Sequence, residues 1–300
     1  MDKNLQKYMA LIKTVETGSF THAAELLQYS QSGVSRMIGD LETAWGIALL
    51  QRGRGGVQLT SAGQQLLPYI RQVVSAYETL RGQVSEWNGL RAGLIRIGTF
   101  SSVATHWLPH IICAFQKDYP NIEYELLLGD YSEIEAWIME GRVDCGFLRL
   151  PAAPELQTLF LEQDRLMAVV PEQHPLAACE RIAPRALCDA PFLLLEKGET
   201  TEVSELFARC GLKPRVQFTT FDDYAIMSMV ENGLGVSILP ELILRRAPYR
   251  IAARPLDVPA WRNIGIALRD KKTAPLAVTR FLEYLDARNA PGLETARTAR

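Results

Sequence analysis

The sequence predicts an α/β protein with an all-α N-terminal domain, a two-stranded wing, a long linker helix and a larger α/β region of two subdomains. Three observations predict this plan. Residues 19–45 have the pattern of two short amphipathic helices joined by a tight turn. Residues 61–90 carry a sustained heptad pattern, and from residue 94 to residue 287 short apolar runs alternate with helical patterns.

The composition is that of an ordinary globular protein. The chain has 300 residues, of which 48% are hydrophobic and 22% charged, and its net charge is -2, so any nucleic-acid binding must rest on a local surface. Residues 1–60 carry six basic and five acidic side chains, a balance of only +1. No run of ~18 apolar residues occurs, which predicts no membrane span. Five scattered cysteines and no export signal predict reduced thiols in the cytoplasm.

The two short helices have the form of a helix-turn-helix. Ser19 is a candidate N-cap of the first helix, whose small Ala23 and Ala24 allow close packing. The second helix begins at Ser30 and carries apolar residues at helical spacing as far as Trp45. Its first turns offer polar candidates for a DNA major groove: Ser30, Gln31, Ser32, Gly33, Ser35 and Arg36. The spacing alone leaves an ordinary helical hairpin open as the alternative.

A glycine-rich turn at residues 53–56 follows these helices. It lies between the short apolar runs 49–52 and 57–59, and three glycines in four residues predict the tip of a β-hairpin. Arg52 and Arg54 belong to this tip, where they would lie along DNA phosphates or in the minor groove.

The linker region has apolar residues separated alternately by four and three positions. The seam consists of Leu66, Ile70, Val73, Tyr77, Leu80, Val84 and Trp87. A narrow seam with polar flanks predicts a helix over 61–90 that pairs with a second copy of the chain, although a single core helix of the next domain remains the alternative. Pro68 is the eighth residue of this helix, so we expect a bend or a later start there.

The remaining chain predicts two α/β subdomains. Apolar runs at 94–99, 122–128 and 143–148 alternate with helical patterns, which implies a parallel sheet with helices on its faces. Ser132 and Glu135 have the spacing of a capping box for the second of these helices. Further strands are predicted at 165–170, 192–195, 215–218, 236–239 and 263–268, and further helices at 201–210, 222–232, 240–246 and 275–287.

With these pieces in place, the chain closely resembles the LysR-type transcriptional regulators. The resemblance rests on TVETGSFTHAAELLQYSQSGVSRMIGDLETAWGIALLQR and VQLTSAG, and further along on YPNIEYEL, GRVDCGFL and ENGLGVSILP. It implies a winged helix-turn-helix DNA-binding domain at 1–60, a linker and dimerisation helix at 61–90, and an effector-binding domain at 91–300. The last is similar to periplasmic binding proteins, with subdomain I at about 91–160 and 263–287 and subdomain II at about 161–262.

The resemblance also implies what the protein works with. Its expected partners are double-stranded operator DNA, a small carboxylate-bearing effector, other copies of itself in a dimer or tetramer, and RNA polymerase. We expect no membrane partner and no cofactor. Effector binding is expected to alter the relation of the two subdomains and so the spacing of the DNA-binding domains.

The resemblance carries over a set of cleft-facing positions in the effector domain. They are Thr99, Phe100, Ser101, Ser102, Asp130, Leu148, Arg149, Thr200, Thr201, Phe221 and Asp222. Serines at a helix N-terminus and Arg149 would favour a carboxylate, although plain helix capping explains each hydroxyl equally well. Three carboxylates in the same region, those of Asp130, Glu196 and Asp222, would repel a dianion. We therefore expect a monoacid, an amino acid or an aromatic acid rather than a dicarboxylate.

One departure from the family pattern lies in the recognition helix. The family usually has Pro-Ala after the Ser-Gln of this helix, whereas this chain has Ser32 and Gly33. Losing the proline and gaining a glycine should loosen the helix start, and losing the alanine methyl removes a contact for a thymine methyl. We expect an altered operator preference.

Two other classes of function are open to such a sequence. A redox-responsive regulator of the same architecture is the alternative, because one branch of the family senses peroxide through two cysteines. Here Thr200 occupies the position of the reactive cysteine, and only Cys210 lies near the second. We expect no enzyme, since no GxSxG, HExxH or Walker sequence occurs. His106 and His110 have metal-binding spacing, but no cluster of further ligands supports them.

Overall fold

The computed structural model describes residues 3–53, 56–86, 93–195 and 201–289. These residues form two compact units, one of which holds the first four helices and the first hairpin, while the other holds the described residues from 93 onward except 140–142. The predicted fold class, an α-helical head with a wing followed by an α/β domain, is confirmed. Among the described helices, none combines the length and the apolar character needed to cross a bilayer.

The first unit is built on three short helices packed around alanines. They are α1 (Lys3–Thr17), α2 (Phe20–Leu27) and α3 (Gln31–Trp45). Ser19 caps α2 by accepting a bond from the amide of His22 at 3.3 Å, as its position predicts. Ala23 and Ala24 are buried where the helices meet, and Gly46 ends α3 in the left-handed conformation.

The wing and the linker helix complete this unit. Strands β1 (Leu50–Gly53) and β2 (Gly56–Leu59) pair antiparallel, with Gly53 opposite Gly56. Helix α4 (Ser61–Glu86) begins at Ser61, not later as Pro68 suggested, because a proline near the first turns gives up few helical bonds.

The heptad seam of α4 is divided between two environments. Leu66, Ile70 and Tyr77 pack against the core of the first unit. Val73 and Leu80 are instead exposed, at 51% and 59% of their surface. Part of the predicted seam therefore stabilises its own domain, and part is left on the surface.

The second unit begins with two βα units followed by a third strand. Its first elements are β3 (Gly93–Thr99), α5 (Ser101–His106), α6 (Leu108–Asp118), β4 (Ile122–Leu128), α7 (Tyr131–Met139) and β5 (Cys145–Leu150). Strand β3 lies between β4 and β5 and is parallel to both. These strands match the predicted parallel arrangement.

A long strand then leads into the other half of this unit. The elements that follow are β6 (Gln157–Pro171), a 3-10 turn (Pro175–Ala178), α8 (Pro184–Leu187), β7 (Pro191–Leu195), α9 (Glu202–Arg209), β8 (Arg215–Thr220), α10 (Asp223–Glu231), β9 (Ser237–Pro240), α11 (Glu241–Leu244), β10 (Ile251–Pro255), β11 (Trp261–Leu268), α12 (Leu276–Leu282) and a 3-10 turn (Leu285–Asn289). The predicted helix at 275–287 is thus two pieces, α12 and a 3-10 turn.

Strand β6 joins the two halves of the sheet. It has 15 residues, far more than the predicted 165–170, and it pairs with β11 along its first part and with β9 and β10 along its second. The sheet runs in the order β10-β6-β11-β5-β3-β4, with β11 antiparallel to β5. It is therefore mixed, because β11 returns from subdomain II instead of crossing over by a helix.

Separate cores lie on either side of this crossing. Trp107, Phe115 and Phe147 are fully buried in one core, and we call the half of the unit around it subdomain I. Phe192 and Phe207 pack edge to face in another core, and we call the half around it subdomain II. The predicted capping box at Ser132 and Glu135 is wrong. Asp130 and Glu133 form it instead, two residues earlier: the amide of Glu133 donates to Asp130 Oδ1 at 2.7 Å, and the amide of Asp130 donates to Glu133 Oε2 at 2.9 Å.

Candidate functional site

The N-terminus of α3 is the first candidate site. Ser30 is its N-cap, and its hydroxyl accepts a bond from the amide of Gly33 at 3.1 Å. The Ser32 hydroxyl lies 3.2 Å from the Ser30 hydroxyl. A Cβ atom on Gly33 would lie 3.0 Å from Ser30 Oγ. The glycine therefore lets the capping hydroxyl sit closer to the helix than an alanine would.

The candidate DNA-binding residues of α3 lie on its solvent side. Gln31, Ser32 and Arg36 are exposed and Ser35 is half-buried, while Val34 on the opposite side is fully buried. The buried side packs against α1 and α2, and this packing holds the polar first turns of α3 in a fixed position.

Two side chains tie the wing to the helices. The carboxylate of Glu42, on α3, accepts bonds from the amides of Leu49 and Leu50 at 2.6 and 3.0 Å. The hydroxyl of Thr60 donates to the carbonyl of Ala48 at 2.7 Å and accepts from the amide of Gly63 at 3.0 Å. The bonds of Glu42 and the bond from Thr60 to Ala48 join residues whose proximity depends on the hairpin, so the sequence does not reveal them. The bond between Thr60 and Gly63 is a local N-cap of α4, as expected of a threonine just before a helix.

The wing arginines are only partly described. Arg52 lies on β1 opposite Val57, and Arg54 lies outside the described residues. Their contact with DNA stays a prediction.

The second candidate site is built around Arg262, at the start of β11. Its guanidinium donates to the carboxylate of Asp164 through Nε at 2.9 Å and Nη2 at 2.7 Å. Nη2 also donates to Ser102 Oγ at 2.7 Å, and Nη1 donates to the Tyr131 hydroxyl at 2.9 Å. Tyr131 in turn donates to Glu202 Oε1 at 3.0 Å. We call these five residues the Arg262 cluster.

The Arg262 cluster draws side chains from both subdomains. Ser102 and Tyr131 belong to subdomain I, Glu202 belongs to subdomain II, and Asp164 and Arg262 lie on the two strands that connect them. Arg262 also stacks on the ring of Phe100, with 4.9 Å from Cζ to the ring centroid. The cluster therefore holds the two subdomains together at one polar point.

Burial and charge act together in this cluster. Burial raises the pKa of Tyr131, and the nearby Glu202 raises it further, so the hydroxyl stays protonated. Burial opposes the charge on Arg262, but Tyr131 and Asp164 favour that charge more strongly and its pKa is raised. Arg262 thus stays charged with its partners in place.

A small cavity adjoins the cluster. Its volume is about 30 Å³, the size of one or two water molecules. Its lining consists of Phe100, Tyr131, Leu166, Leu195, Thr201, Glu202, Val203, Ile238, Pro240 and Arg262. The lining combines apolar side chains with the hydrogen-bonded polar groups of Tyr131, Glu202 and Arg262, as in many small-molecule sites.

Four of the predicted effector residues lie at or beside this cavity. Phe100 and Thr201 line it, and Ser102 bonds to Arg262. Arg149 donates to the carboxylate of Glu205. Burial works against the charge on Arg149, but Glu205 outweighs it and the pKa of Arg149 is raised. The arginine predicted to bind a carboxylate is therefore already paired.

Three others belong to subdomain I and do not line the cavity. Thr99 is buried at the end of β3, Ser101 opens α5, and Leu148 is fully buried in the core of subdomain I. Leu148 faces the core because it alternates with Arg149 along β5.

The remaining predicted positions lie elsewhere or are not described. Asp130 caps α7, and Asp222 caps α10 through the amides of Tyr224 and Ala225. Phe221 is 73% exposed, and neither it nor Asp222 lines the cavity. Thr200 and Glu196 lie outside the described residues.

Sequence reasoning missed the centre of this site. Asp164 and Arg262 are 98 positions apart, and each stands beside an apolar run without a local signal of pairing. Tyr131 and Glu202 are the first residues of helices, so they read as ordinary helix-start residues. Only the antiparallel pairing of β6 with β11 brings Asp164 opposite Arg262.

The redox-sensing alternative would act through the cysteines. All five are free thiols, and Cys113 is exposed. Burial raises the pKa of Cys145 and of Cys188, which reduces their thiolate fraction.

Comparisons with known proteins agree with this architecture. Residues 5–64 match the family described as "Bacterial regulatory helix-turn-helix protein, lysR family", and residues 88–290 match "LysR substrate binding domain". The chain is 34% identical over 284 residues to the probable HTH-type transcriptional regulator LrrA of Synechococcus elongatus, covering 94% of this chain and 96% of that protein. It is 31% identical over 275 residues to the uncharacterized HTH-type transcriptional regulator YvbU of Bacillus subtilis, covering 91% and 94%.

Solved structures share the fold as well. A full-length OxyR variant from Pseudomonas aeruginosa aligns with a TM-score of 0.75 at 22% identity, covering 95% of this chain and 94% of that one. The family matches confirm the resemblance drawn from the sequence motifs. The chain belongs to the LysR family and is a LysR-type DNA-binding transcriptional regulator with a substrate-binding domain.

Proposed function

We propose that this regulator reads its operator with the first turns of α3 and responds to a small monoacid bound between its two subdomains. The DNA-binding part of this proposal rests on α3, which has one buried apolar side and one exposed polar side. Val34, Ile38 and Leu41 are buried, whereas the N-terminal polar side chains are exposed. A helix fixed on one side and polar at its exposed N-terminal turns can enter a major groove without rearranging.

The individual contacts follow from residue chemistry. Arg36 is the exposed cation of α3, suited to guanine or phosphate, and Gln31 can pair with adenine. Ser30, Ser32 and Ser35 offer short hydroxyls, and Gly33 lets the DNA approach the backbone. Arg52 and Arg54 of the wing would add phosphate contacts beside the helix.

The double variant Ser32→Pro/Gly33→Ala is expected to change operator preference at the base pairs read by the first turn of α3. It removes the hydroxyl at 3.2 Å from Ser30 and adds a methyl 3.0 Å from the capping oxygen, so the cap must shift by a few tenths of an ångström. A change of roughly 1 kcal/mol per affected base pair, about fivefold, is the expected size. Binding to a randomised operator library measures it.

Thr43→Ala is the matched control for this experiment. Thr43 is exposed on the last turns of the same helix, where its hydroxyl bonds only to the carbonyl of Gly39. We expect this variant to select the same sequences as wild type. Identical preferences for the double variant would contradict the role given to Ser32 and Gly33.

We further propose that α4 pairs copies of the chain. Tyr69, Val73 and Leu80 are large, exposed and spaced along one stripe of this helix. Burying such a stripe against a second helix would gain roughly 25 cal/mol per Å² of apolar surface removed from water. The resulting dimer or tetramer would present two DNA-binding domains to an inverted-repeat operator in the cytoplasm, with RNA polymerase as the further partner.

The effector half of the proposal rests on the Arg262 cluster. It provides polar groups from both subdomains around one cavity with apolar walls. The cavity of about 30 Å³ is too small for an organic molecule, so effector binding would have to spread the walls. Such a change alters the relation between the subdomains, which is the signal that the DNA-binding domains would receive.

The charges around the cavity support a monoacid or amino acid over a dicarboxylate. Arg262 is already paired with Asp164, and Glu202 places a carboxylate in the lining of the cavity. A dianion would meet the carboxylate of Glu202 and a guanidinium whose charge is already paired. A single carboxylate could replace the Ser102 bond, and an amine could approach Glu202.

Isothermal titration of the full-length protein against amino acids, aromatic monoacids and dicarboxylates tests this assignment. We expect saturable heat with a member of the first two classes, and Thr201→Val should weaken it by about fivefold because that hydroxyl lies in the wall and caps α9. Thr279→Val, on α12 away from the cavity, serves as the control. Tight binding of a dicarboxylate would overturn the monoacid assignment.

A further inference from the structure

A second, larger cavity lies in subdomain II, outside the Arg262 cluster. Its volume is about 360 Å³, within the range of small-molecule sites. Arg165, Arg181 and Trp261 line it together with Asp257 and the apolar residues of segment 255–260. Because successive side chains of a strand point to opposite faces, Trp261 faces away from the side on which Arg262 lies.

The lining of this cavity carries more positive than negative charge. Within the described part of the chain, neither Arg165 nor Arg181 has a carboxylate within ion-pair distance. Two guanidinium groups and the carboxylate of Asp257 leave a balance of +1. A ligand with one negative charge would neutralise it.

The rest of the lining is apolar. Trp261 is 48% exposed, so its indole offers an open face to a ligand. Pro255, Val258 and Pro259 provide an aliphatic wall. An aromatic or aliphatic body would be covered by these groups while its anionic end meets the arginines.

The frame of the cavity is held by hydrogen bonds that do not depend on a ligand. The amide of Ile182 donates to the carbonyl of Pro255 at 2.9 Å, and the amide of Asp257 donates to the carbonyl of Ile182 at 3.1 Å. Arg209 Nη2 donates to the carbonyl of Pro259 at 2.9 Å. A preformed frame of this kind lowers the ordering cost of binding.

We propose that this cavity is a second small-molecule site, which binds a monoanion with a flat or apolar body, such as an aromatic carboxylate. The site is separate from the cavity at the Arg262 cluster and would exist whether or not that cavity takes an effector. It is nevertheless connected to the cluster, because Trp261 directly precedes Arg262 and Leu166 lines both cavities. A ligand here would therefore act on the same pair of strands.

Fluorine NMR of the full-length protein labelled with 5-fluorotryptophan tests the proposal. The chain has five tryptophans, and Trp261→Phe identifies the resonance of the one in this cavity. Titration with sodium benzoate should shift the Trp261 resonance saturably and leave that of Trp107, buried in subdomain I, in place. Benzamide, the neutral analogue, should bind at least about fivefold more weakly.

Charge variants decide whether the arginines form the site. Arg165→Gln and Arg181→Gln should each weaken benzoate at least about fivefold, a loss typical of a charge-assisted hydrogen bond at a partly exposed site. Arg185→Gln, an exposed arginine of the same subdomain that does not line the cavity, should bind as wild type does. Thr201→Val should also leave this titration unchanged, which separates it from binding at the Arg262 cluster. An unmoved Trp261 resonance, or equal binding of benzoate and benzamide, would overturn the proposal.

Discussion

Gly63→Ala is expected to unfold the DNA-binding domain and abolish operator binding. A Cβ atom at this position would lie 2.2 Å from the carbonyl oxygen of Leu49 and 2.9 Å from a methyl of Leu59. The Leu49 carbonyl cannot move away freely, because it accepts a bond from the amide of Thr60 at 2.9 Å and Leu49 itself is fully buried. A backbone clash of this size should cost about 3 kcal/mol or more.

Gly39→Ala provides the opposite outcome in the same domain. Gly39 lies inside α3, and its Cβ would meet no atom within 4 Å. Replacing a helix-interior glycine by alanine should stabilise the domain by up to about 1 kcal/mol. Thermal unfolding of the full chain followed by circular dichroism, together with fluorescence anisotropy on operator DNA, measures both variants. A Gly63→Ala protein that melts and binds DNA as wild type does would contradict this account of the close contact.

Arg262→Met is expected to lower the free energy of unfolding of the effector domain by about 3–5 kcal/mol, the usual cost of removing one partner of a buried ion pair. Asp164 would keep only the bond from the amide of Leu242 at 2.9 Å, with its other oxygen buried and uncompensated. Ser102 and Tyr131 would lose their shared partner at the same time. Urea unfolding monitored by tryptophan fluorescence measures the loss.

Two further variants separate the buried charge from general damage. Arg262→Met/Asp164→Leu removes both charges and should recover a substantial part of the stability, because no unpaired ion is left. Arg245→Met removes an exposed pair, in which Arg245 Nη2 lies 3.4 Å from Glu162 Oε1, and should cost less than about 1 kcal/mol. Equal losses for Arg262→Met and Arg245→Met would show that the buried ion pair contributes no more to the free energy of unfolding than the exposed one.

The N-terminal domain could be predicted well because its signals are local. The N-cap of Ser19, the small Ala23 and Ala24, and the polar start of α3 are each decided within a few residues of the chain. The sequence pattern does not reveal why the segment LTSAG, residues 59–63, ends in a glycine. The answer lies in the close approach of Leu49, which depends on how the wing folds back.

The effector domain was harder to predict because its centre depends on long-range pairing. Strands β3 and β4 are short apolar runs that predict strands directly. The first half of β6 is not predicted, because its apolar residues 159–161 stand between polar ones. Strand β10 was missed because its apolar run is short and ends in an arginine and a proline. Arg149 is a sound candidate for a carboxylate by its residue type, yet its charge is matched by Glu205 on α9, 56 residues further along the chain.

Strands β6 and β11 also set how the two subdomains can move. They are neighbours in one ladder, and Arg262 stands opposite Asp164 where they pass between the subdomains. A ribbon of two hydrogen-bonded strands resists stretching but twists readily. Its register is irregular between Ile264 and Gly265, which skips Leu161 on β6 at the end of the ribbon where β5 joins the sheet. Ligand-driven motion in this protein is therefore expected to be a rotation about that ribbon. Such a rotation would change the angle between the two subdomains more than the distance between them.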